Sequence, residues 1–162
     1  LTKAAGERGL GQVPSWLDEG TAVYAQTEPG DGCLDPFELA AITDQLIPFR
    51  MMIGGNTNPN KVGLYYGQSY QMVRFLIETS GEAEFARLFA TIKEGTRFDR
   101  AIEIVYGWTL DEFESEFRGH HGLSPRMPLP SASRGVINSS SKGTATQIVG
   151  LSIKSSCNAG SA

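Results

Sequence analysis

Apolar residues recur along the first three-quarters of the chain at intervals of three and four, between capping residues and glycines, a pattern that predicts a string of helices. The first runs from Ser15 to about Gln26, with Ser15 and Asp18 spaced as a capping box and Trp16, Leu17, Val23 and Tyr24 on neighbouring faces. The cluster Glu28-Pro29-Gly30-Asp31-Gly32 is a turn. Asp35-Pro36 with Glu38 then supplies the start of a second helix that Pro48 ends. Met51 to Asn58 reads as a loop rich in Gly and Asn, and Asn58-Pro59 opens the longest helix. Its stripe is Val62, Tyr66, Ser69, Val73 and Leu76, and Gly81 closes it. Two shorter helices follow, Glu82 to Glu94 with Phe85, Leu88, Phe89 and Ile92 inward, and Phe98 to Tyr106, ended by Gly95 and Gly107. Thr109 and Glu112 form a further capping box for a last helix through Phe113 and Phe117 to about His120. The fold class expected is therefore all-α, a compact helical bundle.

Composition divides the chain in two. Its 162 residues are 40% hydrophobic and 20% charged, an ordinary globular mixture, with no apolar run near the ~20 residues that a membrane span needs. The net charge of −4 argues against general nucleic-acid binding, which requires a basic face. From Leu123 to Ala162 there is no Asp or Glu and only Arg126, Arg134, Lys142 and Lys154 are charged, so the part before it holds 10 basic against 18 acidic residues. The expected organisation is a helical domain over 1–122 and a Ser/Pro-rich tail over 123–162. The tail has too few large apolar groups to offset its ordering entropy and is expected to be disordered, with Gln147 to Ile153 as a marginal strand. Cys33 and Cys157 have no CxxC spacing and read as free thiols or one long-range disulfide.

Chemistry concentrates in Val13-Pro14-Ser15-Trp16-Leu17-Asp18-Glu19-Gly20-Thr21-Ala22-Val23-Tyr24. This segment resembles the second zinc-binding helix of gluzincin peptidases, in which a Pro-x-Trp-Leu-x-Glu-Gly-x-Ala-x-Tyr pattern presents a glutamate behind an upstream HExxH. Tyr65-Tyr66-Gly67-Gln68-Ser69-Tyr70 through Leu76, Gly81, Phe98-Asp99-Arg100-Ala101 and Leu110-Asp111-Glu112-Phe113 are likewise similar to bacterial peptidase MA-like proteins of that group. The likeness extends from Val13 to Leu123. It implies that Glu19 is a metal ligand, that zinc is the cofactor of the complete protein, and that the reaction is hydrolysis of a peptide or protein substrate in a bacterial setting, extracytoplasmic or membrane-associated. It further implies that Tyr66 is the catalytic tyrosine that stabilises an oxyanion, with Tyr70 as the spare candidate. Gln68 and Ser69 stand where distantly related aminopeptidases have Lys and Gly.

A catalytic zinc takes three protein ligands and one open position. The only histidines, His120 and His121, are adjacent and point about 100° apart on a helix, so they cannot act as the i, i+4 pair of HExxH; charge at a helix C-terminus is the plainer role. Leu1-Thr2-Lys3 falls where the end of a His-Glu-Leu-Thr-His helix is expected, which sets Lys3 in the second histidine's place. Two functions therefore compete. One is a part of a zinc metallopeptidase, inactive by itself; the other is a non-catalytic helical interaction or structural module on the same scaffold. The first requires Glu19 and Tyr66 to face one cleft within about 10 Å, the span of a metal and a tetrahedral centre.

Overall fold

The computed structural model describes residues 13–26, 31–55 and 58–126. All regular structure among them is helical: α1 (Ser15–Tyr24), α2 (Asp31–Ile42), α3 (Phe49–Met52), a 3-10 turn (Pro59–Lys61), α4 (Val62–Lys93), α5 (Phe98–Tyr106) and α6 (Leu110–His120). Lys3, the tail from 127 with its Gln147 to Ile153 patch, and Cys157 lie outside the described residues. No helix among the described residues is long and apolar enough to cross a membrane.

Three boundaries differ from those expected. Pro14, not Ser15, is the N-cap of α1: with φ −63° and ψ 143° it is already extended, and its carbonyl accepts from the amides of Leu17 and Asp18. Ser15 is thus the first helical residue and makes no capping box. α2 begins four residues before Asp35 and carries Pro36 inside it, where the ring forfeits one bond close to the open first turn. Its end is set by Asp44, not Pro48. Asp44 adopts a left-handed φ of 54°, and the Gln45 amide closes back on the Ala40 carbonyl at 2.7 Å, a Schellman-type finish. Pro48 instead caps the single turn of α3, inside a stretch expected to be loop.

The remaining punctuation behaves as its chemistry dictates. Asn58 Oδ1 accepts from the Asn60 amide at 2.9 Å. At Gly81 the backbone takes φ 85° and ψ 167°, so α4 is two helices meeting at a kink. Thr109 and Glu112 form the reciprocal capping box, with the Thr109 N–H donating to Glu112 Oε2 at 2.7 Å and the Glu112 N–H to Thr109 Oγ1 at 3.2 Å.

The core is aromatic. Trp16 is fully buried and meets Phe49 at 5.4 Å, Phe98 at 5.7 Å and Phe113 at 6.0 Å between ring centroids, so one side chain joins α1, α3, α5 and α6. Phe75 of α4 extends the cluster to Trp108, Phe113 and Phe117. Two polar side chains pin the connection between α2 and α3. The Gln68 amide pairs with the backbone of Ile47 like a short strand, donating to its carbonyl and accepting from its N–H at 2.8 Å each. Buried Arg118 donates to Asp44 Oδ1 and to the Ser124 carbonyl, both at 2.7 Å, and Arg126 reaches the Leu46 carbonyl and Glu114, so the chain stays attached through 126. In α4 before Gly81, the buried positions are Tyr65, Gly67, Gln68, Ser69, Met72, Val73, Phe75 and Leu76. Tyr65 takes the buried place on the stripe expected of Tyr66, which is half-buried.

Candidate functional site

The site is set by how closely α1 crosses α4. A Cβ built on Gly20 would lie 2.3 Å from the Ser69 carbonyl oxygen and 3.0 Å from Val73 Cγ2, so the helix backbones touch at this point and only glycine fits. Trp16, Leu17, Thr21 and Val23 are buried on the same side of α1, and the Thr21 hydroxyl closes locally on the Leu17 carbonyl. Glu19, the residue before the contact, is held half-buried at its rim. The Glu-Gly pair in the sequence motif thus combines a packing demand at Gly20 with the placing of the carboxylate at Glu19.

Across the crossing stands Tyr65, one helical turn before Ser69 on α4. Only 4% of it is exposed, and its hydroxyl has no hydrogen-bond partner among the described residues. Burial first, then the charges of Glu19 and Tyr66, push this phenol up to about 12. Tyr66 lies edge-on to it, with ring centroids 5.9 Å apart. Tyr70, one turn on, is half-buried and packs its ring near Tyr24 at 6.2 Å. The charge of Glu19 thus reaches Tyr65, and Tyr66 packs beside Tyr65 at the start of α4. Tyr65 was the residue missed. Counting back from Leu76 through Met72 and Ser69 at intervals of four, three and four reaches Tyr65, and that register would have found it.

The histidines are elsewhere. His120 packs against Phe75, with Nε2 4.0 Å from Glu78 Oε2, and His121 is wedged between Phe37 at 5.0 Å and Phe117 at 4.8 Å. Glu78 is thirteen residues past Tyr65 on α4, about 20 Å along the axis at 1.5 Å per residue. Burial, followed by the charges of His120 and Arg74, lowers the His121 pKa, with Glu78 opposing. The pair anchors the end of α6. An open depression of ≈ 310 Å³ lies along Val13, Pro14, Ile53, Phe98 and Leu110 with the Arg97–Asp99 ion pair at its edge, and neither Glu19 nor Tyr66 lines it.

Among the described residues no group of three His, Cys, Asp or Glu side chains could hold a metal ion. Glu19 offers one anionic oxygen donor where a catalytic zinc takes three protein ligands, so the described residues do not by themselves fit the metal.

A sequence profile of the peptidase MA superfamily matches residues 2–121. The chain belongs to that superfamily, and its helices are a metallopeptidase-related scaffold. No curated protein and no solved structure matches the chain.

Proposed function

We propose that this chain forms the helical wall of a zinc-dependent metallopeptidase site of the gluzincin kind, with Glu19 as a carboxylate ligand and Tyr66 as the hydroxyl that meets the substrate carbonyl oxygen. The observation that supports the reading is the α1–α4 crossing in a superfamily member: the backbones meet at Gly20, the residue after Glu19, and at Ser69, one turn past Tyr65 and its neighbour Tyr66. Zinc held by Glu19 and by donors outside the described residues would supply Lewis acidity at a peptide carbonyl. The chain's own part is to place an anion on one side, through Glu19, and a hydrogen-bond donor on the other, through Tyr66. A peptide or protein is the substrate class.

Metal content after dialysis provides the test, on the full-length product of the gene and on its Glu19→Gln variant. The reading expects stoichiometric zinc and zinc-dependent peptide hydrolysis in the first, and at least tenfold weaker zinc binding in the second, as for loss of one of three ligands. Equal zinc retention in both, or none in either, would favour the non-catalytic helical module. The 162 residues alone are expected to show no peptidase activity and to lose zinc on dialysis, because one carboxylate does not close a three-ligand site.

A further inference from the structure

Beside its crossing with α1, α4 shows solvent a line of four side chains. Tyr66, Tyr70, Arg74 and Glu78 follow at intervals of four, so they lie along one face that winds slowly round the helix. Tyr66 and Tyr70 are half-buried, Arg74 and Glu78 exposed. Tyr24, 37% exposed at the end of α1, holds its ring 6.2 Å from that of Tyr70, so two helices make one surface aromatic pair. The Arg74 Nε donates to Glu78 Oε1 at 2.6 Å, while its two Nη groups make no hydrogen bond among the described residues. That hydrogen bond first, then the charges of Glu78, Tyr70 and Tyr24 acting against burial, hold the Arg74 pKa above its ordinary value, so both phenols stand near the guanidinium. Arg50 differs: its Nε and Nη2 close on both oxygens of Asp111, which occupies its fork.

Tyrosine brings broad ring area with a polar tip and few rotatable bonds, which suits a binding face. Residues four apart on a helix are about 6 Å apart along its axis, and alternate residues of an extended chain are about 6.6 Å apart. An extended peptide laid along α4 therefore presents its same-side side chains to Tyr66, to the Tyr24–Tyr70 pair and to Arg74 in turn. The rings accept a large apolar or aromatic side chain, and a guanidinium with open Nη donors accepts a carboxylate. We propose that this face binds an extended peptide carrying an aromatic residue and, with one residue between, an Asp or Glu: the aromatic ring rests on Tyr24 and Tyr70, and the carboxylate on the Nη groups of Arg74. The carboxylate is that of a side chain and not of a chain end, because the exposed line continues past Arg74 to Glu78 and a ligand does not have to stop there. The inference rests on the reading above for its class of ligand, a peptide, and adds the side chains by which that ligand is chosen; no metal takes part in it.

The experiment measures fluorescence anisotropy of labelled peptides on the full-length gene product in a chelating buffer, so that no metal-dependent step enters. The probes are an Ala/Ser peptide blocked at both ends that carries Phe-Ala-Glu, its Phe-Ala-Gln and Ala-Ala-Glu counterparts, and a Phe-Ala peptide whose carboxylate is its own free C-terminus. Phe-Ala-Glu is expected to bind about fivefold more tightly than each of the others, the scale of one exposed ion pair or one aromatic contact. Arg74→Gln should abolish the preference for Glu over Gln. Tyr70→Ala and Tyr24→Ala should abolish the preference for Phe over Ala and keep that for Glu. Arg87→Gln, on the outer face beyond Gly81, should change nothing, and thermal melting checks that each variant folds. No saturable binding by any probe, a Glu preference that survives Arg74→Gln, or tightest binding of the free C-terminus overturns the inference. Failure here with zinc retained by the parent and lost in Glu19→Gln leaves the functional reading standing; the expected peptide preferences without zinc retention uphold the inference and favour the non-catalytic module.

Discussion

The two halves of α4, on either side of Gly81, are built on different terms. Before the kink, the buried face carries Tyr65, Gln68 and Ser69 among its apolar groups, and the hydroxyls of Tyr65 and Ser69 have no hydrogen-bond partner among the described residues. After it, the buried face is Phe85, Leu88, Phe89 and Ile92, wholly apolar, and the outer face carries the exposed Arg87–Glu84 pair at 3.2 Å. The second half is consistent at every level of pattern, capping and packing. The first violates the rule that buried polar groups are satisfied, next to the backbone contact that fixes Glu19. Departures from a self-consistent fold gather at working sites, and the half of α4 that carries them is the half on which the proposed site is drawn.

The largest effect that would break this contrast is expected at Gly20. Gly20→Ala forces a methyl group onto the Ser69 carbonyl and should cost more than about 3 kcal/mol, because a backbone cannot step aside as a side chain can. Chemical denaturation measures it; a loss below about 1 kcal/mol would mean that the helices separate freely there.

Leu88→Ala, in the second half, leaves a cavity in a fully buried apolar setting and should cost about 3 kcal/mol. Zinc affinity of the full-length product should be unaffected by it, so a change in both would dissolve the division of labour between the halves.

Acid provides a gentler probe near the end of the first half. The His121 pKa is lowered in the fold below its ordinary value of 6.5, by burial against Phe37 and Phe117 and then by the charges of His120 and Arg74, with Glu78 pulling the other way. Below pH 6.5 the unfolded chain therefore binds more protons than the native one, and stability falls as the pH drops further. His121→Phe should flatten that slope in melts taken between pH 7.5 and 5, intervals chosen around the ordinary imidazole range; an unchanged slope would show that other groups carry it.

The smallest effect belongs to the surface. Arg87→Ala removes an exposed pair that ends of two flexible side chains share with water, and stability should change by less than about 0.5 kcal/mol. A larger loss in the same denaturation series would show that the outer face of the second half is not passive.

Much of this was legible in residue order. The helix over Phe98–Tyr106, the kink at Gly81, the capping box at Thr109 and the inward face of Phe85, Leu88, Phe89 and Ile92 follow from local signals, because caps and glycines act within one turn and a repeat of 3.6 residues needs no partner to be read. The superfamily was legible too, since Pro14, Trp16, Glu19 and Gly20 must coincide for α1 to be both core and site. The end of α2 and the turn after it were settled by contacts distant in sequence: Asp44 is held by Arg118, and Ile47, next to Pro48, by Gln68.

What the sequence determined by itself is the set of helices, the aromatic content of the core and the candidate carboxylate. What only the tertiary structure decided is the rotation of α4, which carries Tyr65 rather than Tyr66 into the crossing, and the docking of α6, which sets His120 beside Phe75 and Glu78. A stripe of side chains defines a face to within about one residue, 100° of rotation; the approach of a second backbone, here at Gly20 and Ser69, fixes the angle within that range.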